Sequence, residues 1–135
     1  GIAGQAEAPT PGADAATRRL SGIPGLDWTE GVRLAGGRTG LYLRLLAKFA
    51  VRQADFEERL DRAVTTGDLE AARREAHTLK GLAGQLGAQA VQSKAAKLEA
   101  CLAAAAADSS CAESRESTAA ALRELVDAIS ARLQD

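Results

Sequence analysis

The chain has 135 residues, with 17 lysines and arginines set against 18 acidic residues and a single histidine. That length supports one hydrophobic core rather than two. The mixed, near-neutral charge leaves no electrostatic footprint for nucleic acid, and no apolar run approaches the roughly twenty residues of a membrane span. Alanine and leucine dominate and aromatics are only 3 % of the chain, so the composition favours helices over sheet.

Residues 1–22 are rich in Ala, Gly, Pro and Thr, have no apolar periodicity and contain no signal-peptide core; they read as a flexible linker or a cloning remnant. The folded domain is expected over 23–135. Ile23-Pro24-Gly25 breaks the chain, and Asp27-Trp28-Thr29-Glu30 has the Asp-x-x-Glu form of a helix start. A short helix should run to about Leu34, with Gly36-Gly37 ending it and Trp28 serving as its packing anchor. From about Thr39 to Thr65, Leu41, Leu45, Phe49, Phe56, Leu60 and Val64 recur at helical spacing, interrupted at Gln53, and predict one long bundle helix.

Gly67 ends that helix and Asp68 can cap the next, which carries the histidine; the tight turn makes the two antiparallel neighbours. Gly87 then stops the histidine helix, and Val91, Ala95, Leu98 and Leu102 form the stripe of another. Asp108-Ser109-Ser110 interrupts an alanine run, and Ser110-x-x-Glu113 starts a last helix with the stripe Leu122, Leu125, Val126, Ile129 and Leu133. The expected fold is all-α: an antiparallel up-down-up-down four-helix bundle with a short extra N-terminal helix. Cys101 and Cys111 flank a helix junction; two cysteines make neither a zinc site nor a disulfide framework, and Cys101 reads as a small packing residue. Reduced thiols fit a cytoplasmic location. The absence of methionine, even at position 1, fits a segment cut from a longer protein better than a processed one.

The histidine helix is the informative part. Leu69, Ala72, Ala76, Leu79, Ala83 and Leu86 share one apolar stripe, and His77 lies about 140° from its centre, facing water. Gly81 and Gly84 follow it four and seven residues on. An interior helical glycine costs about 1 kcal/mol relative to alanine, so two of them suggest a cleared floor that lets another protein's backbone approach the imidazole. Lys80 adds a positive charge one turn away. Histidine, cation and open floor suggest a nucleophile that accepts an anionic group from a docking partner.

The run Ala76-His77-Thr78-Leu79-Lys80-Gly81-Leu82-Ala83-Gly84-Gln85-Leu86-Gly87-Ala88 resembles the signature of the histidine-containing phosphotransfer (HPt) domains of bacterial phosphorelays. Leu26-Asp27, Leu34-Ala35-Gly36-Gly37, Leu41-Tyr42-Leu43, Gly67-Asp68-Leu69-Glu70 and Lys97-Leu98-Glu99 agree with it, so the similarity spans roughly residues 23 to 134. The resemblance implies a phosphorelay intermediate: His77 accepts a phosphoryl group on Nε2 from a receiver-domain phospho-aspartate and passes it to another receiver. It implies a stoichiometric carrier without its own kinase activity, in keeping with the lack of a glycine-rich nucleotide loop. It further implies no cofactor of its own, with Mg²⁺ supplied by the partner receiver. The leader suggests the C-terminal module of a hybrid sensor kinase, whose membrane-anchored parts would lie upstream.

Lys80 and Gln85 are the expected phosphate-stabilising residues, Gln85 because it lies about 80° around the helix from His77. Gly81, Gly84, Arg73 and Arg74 are the expected partner-docking residues, although solvated helix charge is the simpler account of the two arginines. No metal site is expected, because there is no second histidine and no carboxylate four residues from His77 on its face. A monomer is expected. Two rival readings remain: a degenerate HPt adaptor that grips a receiver without accepting phosphate, and a purely structural bundle in which His77 is an idle surface residue.

Overall fold

The computed structural model describes residues 18–104 and 109–133, and within them the chain is an all-helical bundle. Helix α1 spans Trp28–Leu34, α2 Thr39–Arg52, α3 Phe56–Thr65, α4 Leu69–Leu86, α5 Gln89–Ala103 and α6 Ser109–Leu133. Most of the helix starts and stops follow the expected local chemistry. Asp27 accepts from the Glu30 amide to cap α1, and Asp68 accepts from the Ala71 amide to cap α4. Gly87 ends α4 in the left-handed conformation, φ 76°. The serine-led start expected for α6 rests on side chains outside the described residues, as do residues 1–17 of the expected linker.

One core holds the elements together. Ala72, Ala76, Leu79, Ala83 and Leu86 of α4 are buried, and they meet Val91, Ala95, Leu98 and Leu102 of α5 and Leu122, Leu125 and Ile129 of α6. α4 and α5 share the most extensive packing, consistent with the tight Gly87 turn between them. At that turn Leu26 forms an isolated antiparallel bridge with Ala88, and the Asp27 amide donates to the Gly87 carbonyl at 2.7 Å. A Cβ at residue 87 would run into the Asp27 carbonyl, so this position needs glycine both for its φ and for the close approach. The buried Tyr42 hydroxyl donates to the Leu86 carbonyl at 2.7 Å, satisfying one of the last carbonyls of α4. Burial, helped by the Asp27 carboxylate, pushes the Tyr42 phenol well above its ordinary range, so it remains a donor. The short α1 is thereby latched over the end of the histidine helix.

Four expectations are corrected. The chain joins the fold before residue 23, because residues 18–20 are helical and Leu20 is wholly buried. Arg132 on α6 donates to the Arg19 carbonyl at 2.6 Å, fastening this segment across the bundle end. The long helix expected over 39–65 is two helices, because Gln53 turns inward and is buried at the break. Arg59 holds that break by donating to the Arg52 carbonyl and the Gln53 Oε1 while pairing with Asp55 and Glu75. The stripe of α2 is also shifted by one residue, since Tyr42, Leu46, Phe49 and Ala50 are buried whereas Leu45 is 37 % exposed. Lastly, Cys101 and Cys111 are joined in a disulfide that ties the end of α5 to the start of α6. Antiparallel packing brings their Cα atoms to 5.8 Å, a separation that spacing along the chain does not reveal.

Candidate functional site

Burial of Ala76 and Leu79 fixes the rotation of α4 and thereby turns His77 outward, its side chain 62 % exposed. From the adjacent α5, Leu98 points into the core, and its neighbour Glu99 lies along the α4–α5 seam with only 16 % of its side chain exposed. The Glu99 Oε2 sits 2.8 Å from His77 Nδ1, and Oε1 sits 2.7 Å from Lys80 Nζ. Arg73 approaches the same carboxylate at 3.5 Å, an ion pair rather than a well-formed hydrogen bond, while its main bonds go to Glu70. One acidic side chain from α5 thus gathers three residues of a single face of α4.

The electrostatics keep that carboxylate charged. The hydrogen bond from Lys80 and then that from His77 hold the Glu99 carboxyl below the usual carboxylate range, against the opposing effect of burial. An ionised carboxylate has no proton to donate, so the network assigns the proton to His77 Nδ1. In the neutral form of the ring this places the lone pair on Nε2, which has no hydrogen-bond partner among the described residues. Glu99 fixes the tautomer and the angle of the ring, and the other nitrogen lies on the solvent side of an exposed side chain.

Of the residues singled out from the sequence, His77 and Lys80 come together in this cluster, with Arg73 at its edge. Arg74 lies outside it, highly exposed and 4.0 Å from Glu70. Gly81 borders open space, since a Cβ built there would meet nothing within 4 Å. Gly84 does not: a Cβ there would lie 2.8 Å from the Gln92 amide nitrogen, at the flexible end of a side chain reaching over from α5. Gln85 lines a groove with Leu45, Phe49 and Leu82 on the α2 side of α4, whereas the ring is held from the α5 side. Gln85 is near His77 in angle but not along the axis, because eight residues advance about 12 Å along a helix. Glu99 is the site residue that sequence reasoning left without a role. Its position beside the Leu98 stripe was visible, but which helix packs against His77 was not.

With this geometry in view, the sequence can be set beside known families: the model of the Hpt domain matches residues 44–132. The chain belongs to the Hpt domain family. The match runs from within α2 to the last turn of α6 and therefore takes in both His77 and Glu99. No curated protein and no solved structure matches the chain. Hpt domains are histidine-containing phosphotransfer modules of phosphorelays that interact with receiver domains and have no intrinsic kinase activity. In this Hpt domain, no cluster of three or more metal-ligating side chains occurs among the described residues. No helix among them is long and apolar enough to cross a membrane.

Proposed function

We propose that His77 is the phosphoacceptor, taking a phosphoryl group from the phospho-aspartate of one receiver domain and passing it to the aspartate of another. The observation that carries this reading is the Glu99–His77 contact, which in the neutral ring places the lone pair on Nε2, a nitrogen without a partner among the described residues. The Nε2 lone pair attacks phosphorus as the bond from phosphorus to the aspartyl oxygen breaks, and the receiver carboxylate leaves with that electron pair. No proton has to be removed from the nucleophile. The phosphorylated ring is cationic while it retains Nδ1–H, and the Glu99 carboxylate stabilises that charge. Onward transfer reverses the same step.

Lys80 has three N–H groups and spends one on Glu99, so the others can meet phosphoryl oxygens. The open surface at Gly81 lets the receiver loop approach the ring. Mg²⁺ belongs to the receiver, where it neutralises charge on the acyl phosphate. Because such relays are fed by ATP-dependent kinases, we place the module in the cytoplasm, as part of a hybrid sensor kinase.

Incubation with a phosphorylated receiver and Mg²⁺ should label the domain with an acid-labile, alkali-stable phosphoryl group, and His77→Gln should abolish the label. Equal labelling of the variant would exclude His77. Receiver binding without any label would favour the adaptor reading.

A further inference from the structure

The disulfide borders a groove that none of Arg73, His77, Lys80 and Glu99 lines, and its two sulfurs have unequal surroundings. Cys111 is 1 % exposed in the first turns of α6, whereas Cys101, in the last turn of α5, is only half-buried and lines an open groove of about 430 Å³. Among the described residues, Lys94 and Lys97 stand on this groove with one carboxylate, that of Glu113, and the Ser117 hydroxyl adds to its polar wall. Lys94 is fixed there by its bond to the Ser117 hydroxyl at 2.8 Å.

We infer that Cys101–Cys111 is a thiol–disulfide exchange site, entered through this groove by a small carboxylate-bearing thiol that attacks the Cys101 sulfur. The cationic lining favours both the approach of an anionic thiol and the thiolate form of the attacking sulfur. Attack by the incoming thiolate forms a mixed disulfide with Cys101 and breaks the Cys101–Cys111 bond. The electron pair stays on Cys111, which takes up a proton. A second thiolate then attacks the mixed disulfide, releasing the oxidised small-molecule disulfide and leaving Cys101 as a thiol once protonated. In the other direction, a small-molecule disulfide accepts the two electrons and re-forms the bond. The exchange changes how firmly α5 is tied to α6. A closed loop with cysteines ten residues apart restricts the unfolded chain, and the reduced form loses that restriction.

Reduced glutathione is a suitable probe. Treating the oxidised domain with it and trapping with acid should place the glutathionyl group on Cys101, as read by peptide mapping. Full reduction should lower the melting temperature by about 10 °C, and Cys101→Ser should melt like the reduced wild type. Lys97→Gln should slow the reaction with glutathione by about threefold while leaving the rate with uncharged 2-mercaptoethanol unchanged. An adduct on Cys111, or shared equally between the two, would overturn the assignment. So would a Lys97→Gln effect of the same size on both thiols, or two thiols that stay free in the presence of glutathione disulfide. Labelling of His77 is read separately, so either reading can fail without the other.

Discussion

Two charged clusters in this domain are near mirror images of each other. At the break between α2 and α3, one cation, Arg59, serves several acceptors: the Arg52 carbonyl, the Gln53 amide oxygen and the carboxylates of Asp55 and Glu75. On the α4–α5 seam one anion, Glu99, serves the donors of His77 and Lys80, with Arg73 nearby. The first cluster spends its polar atoms on the chain itself and keeps a buried glutamine satisfied where a helix stops. The second leaves Nε2 of the imidazole over. Dense charge pairing does not by itself mark a functional site; what distinguishes the second cluster is a ring nitrogen left without a partner among the described residues.

If that distinction holds, variants of the two clusters should have opposite phenotypes. Glu99→Ala should slow phosphoryl transfer to His77 on the order of tenfold to a hundredfold in single-turnover assays, because the ring loses its tautomer and its angle. Glu99→Gln should recover part of that rate, since its amide oxygen still accepts from Nδ1–H. Arg59→Ala should leave the transfer rate within about twofold but cost about 1–3 kcal/mol in urea unfolding, because the Gln53 amide oxygen loses its donor. Equal rate losses in the Glu99 and Arg59 variants would break the comparison. Lys80→Met should slow transfer by about fivefold to tenfold, the smaller loss reflecting a charge that assists oxygen atoms rather than placing the nucleophile. Gly81→Ala should stabilise the helix by up to about 1 kcal/mol, since its Cβ enters open space, while weakening receiver docking.

Acid sharpens the same contrast. The folded-state pKa of Glu99 is depressed, so the stability its cluster contributes is fully present above the ordinary carboxylate pKa. It is lost as pH falls through the depressed value. The difference in melting temperature between wild type and Glu99→Gln should therefore be constant near neutral pH and shrink only in that acid window. A difference that already collapses at mildly acidic pH would show that Lys80 and His77 do not hold the carboxylate ionised.

Much of this was legible in the sequence because it depends on local periodicity. The α4 stripe, its Asp68 cap and its Gly87 stop follow from spacing alone, and they dictate that His77 faces outward. Where neighbouring apolar residues offered two registers, as with Leu45 and Leu46 in α2, periodicity could not choose between them, and packing against the rest of the bundle did. The surroundings of Gln85 and Gly84 were not legible in the sequence for a related reason. Angle around a helix was weighed and distance along it, or the helix beyond it, was not.

Taken alone, the sequence determined the helices, the bundle class and the one histidine that could act, because each is encoded within a few turns of chain. Tertiary structure decided the remainder: the contact of Glu99 with the imidazole, the approach of Gln92 to Gly84, the break at Gln53 and the pairing of Cys101 with Cys111. Each of these depends on which surface of one helix meets another, a choice made by the whole core at once and written in no single segment.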